Sequence, residues 1–304
     1  MRHGLHIMSV ILLMIIGIIP SSAGERLKVV TSFSILADIT KAIGGETVDV
    51  ESLIEAGADA HMFEPRPTDI KRISDADLII MNGLGFEPWL DRFKPSSGKT
   101  SLRVVASEGI VPLAFDHQDH SDHSDSDHGI FDPHAWQDVS NVRLYARNIA
   151  TALSSRDPDH RALYDEHLAR YDAALLKLDQ DIRTAIAAIP PTRRKLVTTH
   201  DAFGYFERAY GIKMIAPLGI APEAQPSARD LARIIRQIRA EAIPAIFLET
   251  MIDPRLAQQL AAESGAKIGG TLYSDTLSAK NGPAGTYITM METNIRALTD
   301  ALAP

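Results

Sequence analysis

Residues 26–54, RLKVV TSFSILADIT KAIGGETVDV ESLI, hold three patterns in succession. Leu27 to Val30 is a short run rich in β-branched residues. Ile35 to Ile43 spaces its apolar residues by threes and fours, and Val48 to Ile54 returns to a strand-like run. A strand, a helical stretch and a second strand make a crossover unit, which pairs its strands in parallel and packs the helix on the sheet. The alternation continues with a helix through Ile70 to Ile73 and strands at Leu78 to Met81 and Leu102 to Val105. The second half repeats it. Lys195 to Thr199, Met214 to Ile215, Ala245 to Leu248 and Lys267 to Leu272 read as strands. Helices are expected near Ala202 to Tyr210, Ala228 to Ala242 and Arg255 to Ser264. Ser227 ahead of Asp230 reads as an N-terminal cap, and Gly265 stands where a C-terminal glycine belongs. The expected class is α/β, with two lobes of parallel sheet flanked by helices.

The chain of 304 residues and 33.2 kDa is long for one compact core, so two domains are favoured over a single large barrel. With 45% hydrophobic and 23% charged residues it is neither fibrous nor largely disordered. The net charge of −8 argues against nucleic-acid and anionic-membrane partners, which need clustered Lys and Arg. With no cysteine there is no disulfide, no thiolate ligand or nucleophile, and no residue for N-terminal lipidation. Any metal must be held by His, Asp or Glu.

Between the halves, Asp157-Pro158 opens about 30 residues free of Gly and Pro, ended by Pro190-Pro191. Tyr164, Leu168, Tyr171, Leu175, Leu178, Ile182, Ala185 and Ile189 form one apolar stripe along a helix over 157–189. A coiled coil would span only a few heptads. The better reading is a strut between an N-terminal lobe, 24–156, and a C-terminal lobe, 190–304, which limits hinge opening. Residues 1–23 form a signal peptide: a basic start from Arg2 to His6, thirteen residues of apolar run from Ile7 to Ile19, then small residues to a cut near Ala23. That run is too short to span a bilayer, and a buried first helix is the alternative. A soluble, exported monomer with no membrane anchor is expected, with the periplasm as its home.

Residues 116–128 hold four His, five Asp and no apolar residue. Such a segment cannot bury enough surface to order itself, so a mobile loop is expected. His117, His120, His123 and His128 offer weak, exchangeable metal binding, although a merely solvated acidic loop has the same composition.

His61 follows the strand ending at Ile54, in a loop reading Gly57-Ala58-Asp59-Ala60-His61-Met62-Phe63-Glu64-Pro65. His134 stands in Asp132-Pro133-His134-Ala135-Trp136. His200 ends a strand before Asp201-Ala202-Phe203-Gly204-Tyr205, and Asp275 follows the strand ending at Leu272. In α/β sheets ligands gather outside the carboxyl ends of strands, and two of these residues come from each half. Any single His is more often structural. Together, the four segments in this order resemble the four ligand motifs of the zinc/manganese periplasmic binding proteins of ABC importers (cluster A-I), over the whole mature chain.

That resemblance implies that His61, His134, His200 and Asp275 hold a metal in the cleft between the lobes. It also implies a binding protein, not an enzyme, which delivers its ion to an ABC permease, with a periplasmic zinc chaperone as a possible donor. Zinc members usually carry His at the third position and many manganese members carry Glu. Three imidazoles and one carboxylate suit tetrahedral Zn²⁺, whereas Mn²⁺ prefers more oxygen. Zinc is therefore expected, with a manganese protein as the alternative. Asp132 and Asp201 could each accept an imidazole N–H or cap a helix. Glu249 could back a ligand or form a salt bridge, while Trp136 and Phe203 should pack around the site. A secreted zinc hydrolase is a further alternative, disfavoured by four protein ligands and by the lack of H-E-x-x-H and G-x-S-x-G.

Overall fold

The computed structural model describes residues 25–90, 101–114, 131–219 and 226–303. The expected signal peptide, with its expected cut near Ala23, and the 116–128 segment with its four histidines lie outside the described residues.

The first lobe begins with β1 (Leu27–Phe33), α1 (Ser34–Gly44) and β2 (Val48–Ile54). It continues with α2 (Pro67–Asp75), β3 (Leu78–Met81), β4 (Leu102–Val105) and α3 (Val139–Arg156). Then comes α4 (Arg161–Ala188). The second lobe has β5 (Lys195–Val197), α5 (Gly204–Tyr210), β6 (Lys213–Ile215) and α6 (Ala228–Ala240). It ends with β7 (Ala245–Glu249), α7 (Arg255–Ser264), β8 (Lys267–Leu272) and α8 (Tyr287–Leu302). Each lobe holds a four-stranded parallel sheet, ordered β2-β1-β3-β4 and β6-β5-β7-β8. The same order twice puts a switch point in each sheet, where a crevice opens beyond the carboxyl ends of the strands.

The caps read from the sequence are in place: Ser227 Oγ accepts the Asp230 N–H at 3.2 Å, and Gly265 adopts φ +84° after α7. Helix α8, which was not expected, opens on Thr286, an N-cap whose hydroxyl accepts the Thr289 N–H. Its start is fixed by tertiary contact as well as by Thr286, since Asp38 Oδ2 on α1 accepts the Tyr287 N–H at 2.8 Å. The strut differs in detail. A 3-10 turn at Pro158–His160 precedes α4, whose 28 residues span about 42 Å. Tyr164, Leu175, Leu178 and Ile182 are buried as the stripe requires, but Ile186 is buried rather than Ala185. The 3.6-residue period drifts off a strict three-and-four reading over this length.

Helix α4 touches both lobes. Tyr164 Oη lies 3.0 Å from Thr47 Oγ1 near one end, and Arg183 donates to Ala209 O at 2.8 Å near the other. It packs on α1, α3 and α8, and one core runs unbroken from Ile35 and Leu36 through Trp136 and Leu175 to Tyr205, Phe247 and Tyr287. Large interlobe rotation would expose this shared core. A satellite core of Val197, Ile234, Ile238, Ile246 and Leu260 lies under α6 and α7.

Strand β8, which leads toward Asp275, contains a bulge. Ile246 pairs with Ile268 and Phe247 with Gly270, leaving Gly269 as the extra residue. A Cβ there would stand 2.6 Å from the Phe247 ring, which is fully buried. Gly269→Ala should therefore cost about 1–3 kcal/mol in denaturant unfolding through overpacking.

Candidate metal centre

The mouths of the two sheets face each other, and His61, His134, His200 and Asp275 meet between them. One ligand-capable atom from each lies within 4.8 Å of all the others. His61 Nε2 and His200 Nε2 are 3.4 and 3.1 Å from Asp275 Oδ2, and His134 Nε2 is 3.4 Å from Asp275 Oδ1. His134 and His61 approach to 3.3 Å between their Nε2 atoms. The side chains of His134, His200 and Asp275 are fully buried and that of His61 is 5% exposed. Both Asp275 oxygens and His200 Nε2 are buried with no protein hydrogen-bond partner. Buried polar atoms left in this state are costly unless a further group satisfies them, and a cation at their common focus does so.

The local chain explains how two of these side chains, His134 and His200, are presented. Asp132 Oδ1 accepts both the backbone N–H of His134, at 2.9 Å, and its ring Nδ1–H, at 2.8 Å, which leaves Nε2 facing the focus. Glu249, at the end of β7, does the same for the other lobe. Its Oε1 accepts from the N–H groups of Thr199 and His200 at 2.7 and 2.9 Å, and its Oε2 lies 2.6 Å from His200 Nδ1. This also explains why β5 stops at Val197 rather than Thr199. The Thr198 N–H still donates to Ile215 O at 3.0 Å, but the carboxylate takes the amides of Thr199 and His200 out of the ladder, and His200 keeps only a single bridge to Leu218. Asp201 takes a different place: its N–H donates to Gly219 O at 3.3 Å, and the group behind His200 is Glu249. Asp132→Ala should weaken metal binding by about 10–100-fold, read by chelator competition.

Aromatic rings close the site. Phe86 stands edge-on to His61 with centroids 5.3 Å apart, and Trp136 lies 5.2 Å from His134. Trp136 also donates from Nε1 to Ser274 O at 2.8 Å, crossing to the loop that bears Asp275. Phe203 is buried at the start of α5. Sequence reading did not find Asn82, whose side-chain amide donates to Pro133 O at 2.9 Å and steadies the His134 turn. Glu87 in turn accepts the Asn82 and Gly83 amides at 2.7 and 3.1 Å. Asn82-Gly83 after a strand reads only as a turn, so no signal marked this support.

Charge follows the same geometry. Burial alone would drive His200 toward its neutral form, but the Glu249 and Asp275 carboxylates outweigh it and raise its pKa well above that of free imidazole. Burial likewise opposes ionisation of Asp275, yet His134 and His200 hold it well below the usual carboxylate range. Burial lowers the pKa of His61, with Asp275 working against the fall. The centre thus combines an anion with imidazoles, a donor set for a divalent cation.

The chain is similar to known proteins over most of its length. A family profile described as "Zinc-uptake complex component A periplasmic" matches residues 29–301. The iron-binding protein YfeA of Yersinia pestis is 36% identical over 276 residues, covering 91% of this chain and 86% of that protein. The manganese ABC transporter substrate-binding lipoprotein PsaA of Streptococcus pneumoniae is 31% identical over 287 residues, covering 92% and 90%. Among solved structures, the periplasmic zinc binding protein TroA from Treponema pallidum superposes with a TM-score of 0.84 at 30% identity, covering 92% of this chain and 100% of that one.

Proposed function

The chain belongs to the family of periplasmic metal-binding proteins that serve ABC importers as substrate-binding components, and on that premise we propose that its cargo is Zn²⁺, held by His61, His134, His200 and Asp275. Family membership makes it a solute-binding protein that works with an importer permease, and not an enzyme. The observation that carries the zinc reading is the donor set itself. Three imidazole nitrogens and one carboxylate, each facing a common focus, match the ligand types and number of a closed tetrahedral zinc site.

Manganese or iron is the second reading, favoured by Asp275. Its two unpartnered oxygens face different imidazoles, so bidentate binding would add a fifth contact of the kind those ions accept. Relatives named for iron, manganese and zinc stand at similar identity, so resemblance alone does not choose. Mass spectrometry of chain purified without added metal decides it. One zinc per chain is expected; iron or manganese at that stoichiometry would replace the zinc assignment and leave the family role intact. The same reading makes it a diffusible, monomeric periplasmic carrier. Its segment 116–128 would take up loosely bound ions ahead of the tight site, from solution or from a zinc chaperone.

A further inference from the structure

We infer that the Thr276 hydroxyl latches the loop bearing His61 to the loop bearing Asp275 and so sets how fast the bound ion escapes, an inference that rests on the metal-binding reading above. Thr276 directly follows Asp275 in the second lobe and is 1% exposed. Its Oγ1 accepts the N–H of Gly57, in the first lobe, at 2.7 Å. Ser34 Oγ, at the start of α1, lies 3.4 Å from Thr276 Oγ1 and accepts the Leu277 N–H at 3.1 Å, fixing the segment around the hydroxyl.

The other half of the latch is a turn. Ala58 N–H closes on Glu55 O at 3.1 Å, and Gly57, at the third position, has φ +84°. A positive φ there turns over the amide between the two central residues, and the N–H of that amide belongs to Gly57. The turn therefore aims one donor at Thr276 while residues 55–58 are themselves exposed. His61 follows four residues later and is the ligand with any exposure, so this loop is the way out for the ion. A short exposed loop of this kind opens easily unless something holds it. The Gly57 to Thr276 bond ties it across the cleft, next to Asp275.

The position of Gly57 permits a clean test from both sides. A Cβ at Gly57 would meet no atom within 4 Å, so Gly57→Ala disturbs the turn conformation without a clash. Thr276→Val keeps the shape of the buried side chain and removes the acceptor; Thr276→Ser keeps the acceptor.

The mature chain is loaded with Zn²⁺ alone, mixed with excess chelator and followed by stopped flow. Thr276→Val should release zinc about tenfold faster, the change in rate that one lost hydrogen bond produces. Its saturating zinc-to-chain ratio should equal the parent's. Gly57→Ala should behave like Thr276→Val and Thr276→Ser like the parent. Hydrogen exchange at the Gly57 amide should be slow in the loaded parent and fast in Thr276→Val. Release at the parental rate by Thr276→Val, or by Gly57→Ala should the valine variant not fold, overturns the latch. So does Thr276→Ser releasing as fast as Thr276→Val. A parent chain that takes up no metal shows itself in the stoichiometry before any rate is read, and it removes the functional reading along with the latch.

Discussion

Replacing His200 by alanine should weaken Zn²⁺ binding by at least about two powers of ten, the upper range found for changes one layer further from a metal. Three ligands and an open position for water would remain, and the loss is larger than a missing bond alone. Glu249 is 3% exposed and sits in the second lobe with His200 as its cationic partner. Without the imidazole its Oε2 is left buried and unpaired, a costly state that also loosens the turn which Glu249 holds through Thr199 and His200. Chelator competition measures the affinity, and thermal unfolding without metal checks that the fold survives. Parental affinity in a folded His200→Ala chain would remove His200 from the ligand set and zinc from the proposal.

Exchange of His200 for glutamate tests metal preference and shows why this position cannot change alone. A second carboxylate would trade an imidazole nitrogen for oxygen and favour Mn²⁺. It would also be set near Glu249, where His200 Nδ1 now lies 2.6 Å from a carboxylate oxygen. Two buried like charges repel, and one would be forced to stay protonated. His200→Glu should therefore bind both ions poorly, and the double change with Glu249→Gln should recover manganese ahead of zinc. Residue 200 and the residue behind it form one unit of selectivity.

The sequence carried the lobes because its periodicities are local. Alternating strands and helices between Leu27 and Ile54 dictate a crossover whatever lies elsewhere, and the apolar stripe from Tyr164 to Ile182 dictates a long helix. The four clustered residues were legible for a different reason: position near a sheet mouth singled out none of them, and it was the resemblance of their four segments, in order, to a family's ligand motifs that did so. What supports them was less so. Asp132 is two residues from His134 and was named for that; Glu249 was named from its place at the end of a strand, without its partner His200 49 residues away, whereas Asn82, which reaches Pro133 across 51, was not found. No local pattern encodes such pairs. Helix α8 does carry a local start signal in Thr286 and Thr289 that was passed over, and only the part of its start held by Asp38 lies beyond local sequence. Thr276 read as an ordinary residue beside a candidate ligand until the fold brought Gly57 to it.

Lowering the pH should strip the ion completely, and the metal-free and loaded chains should respond to pH in opposite senses above about pH 6.5, the ordinary imidazole value. Without metal, His200 has its pKa raised by Glu249 and Asp275 against the effect of burial. A group raised in the folded state stabilises it fully below its unfolded pKa, and that contribution fades as pH climbs through the folded pKa. Asp38, whose carboxyl burial pushes up to about 6, is still completing its ionisation at the lower edge of this window and slopes the same way. The metal-free chain should thus lose stability as pH rises from about 6.5. Zinc needs His200 neutral, so binding expels about one proton per ion and tightens with pH over the same range. His61 resists protonation, because burial lowers its pKa. Titration calorimetry in buffers of different ionisation enthalpy counts the proton, and unfolding midpoints with and without zinc give the two slopes. Full occupancy retained at about pH 4, well below the imidazole range, would mean that histidines do not hold the ion.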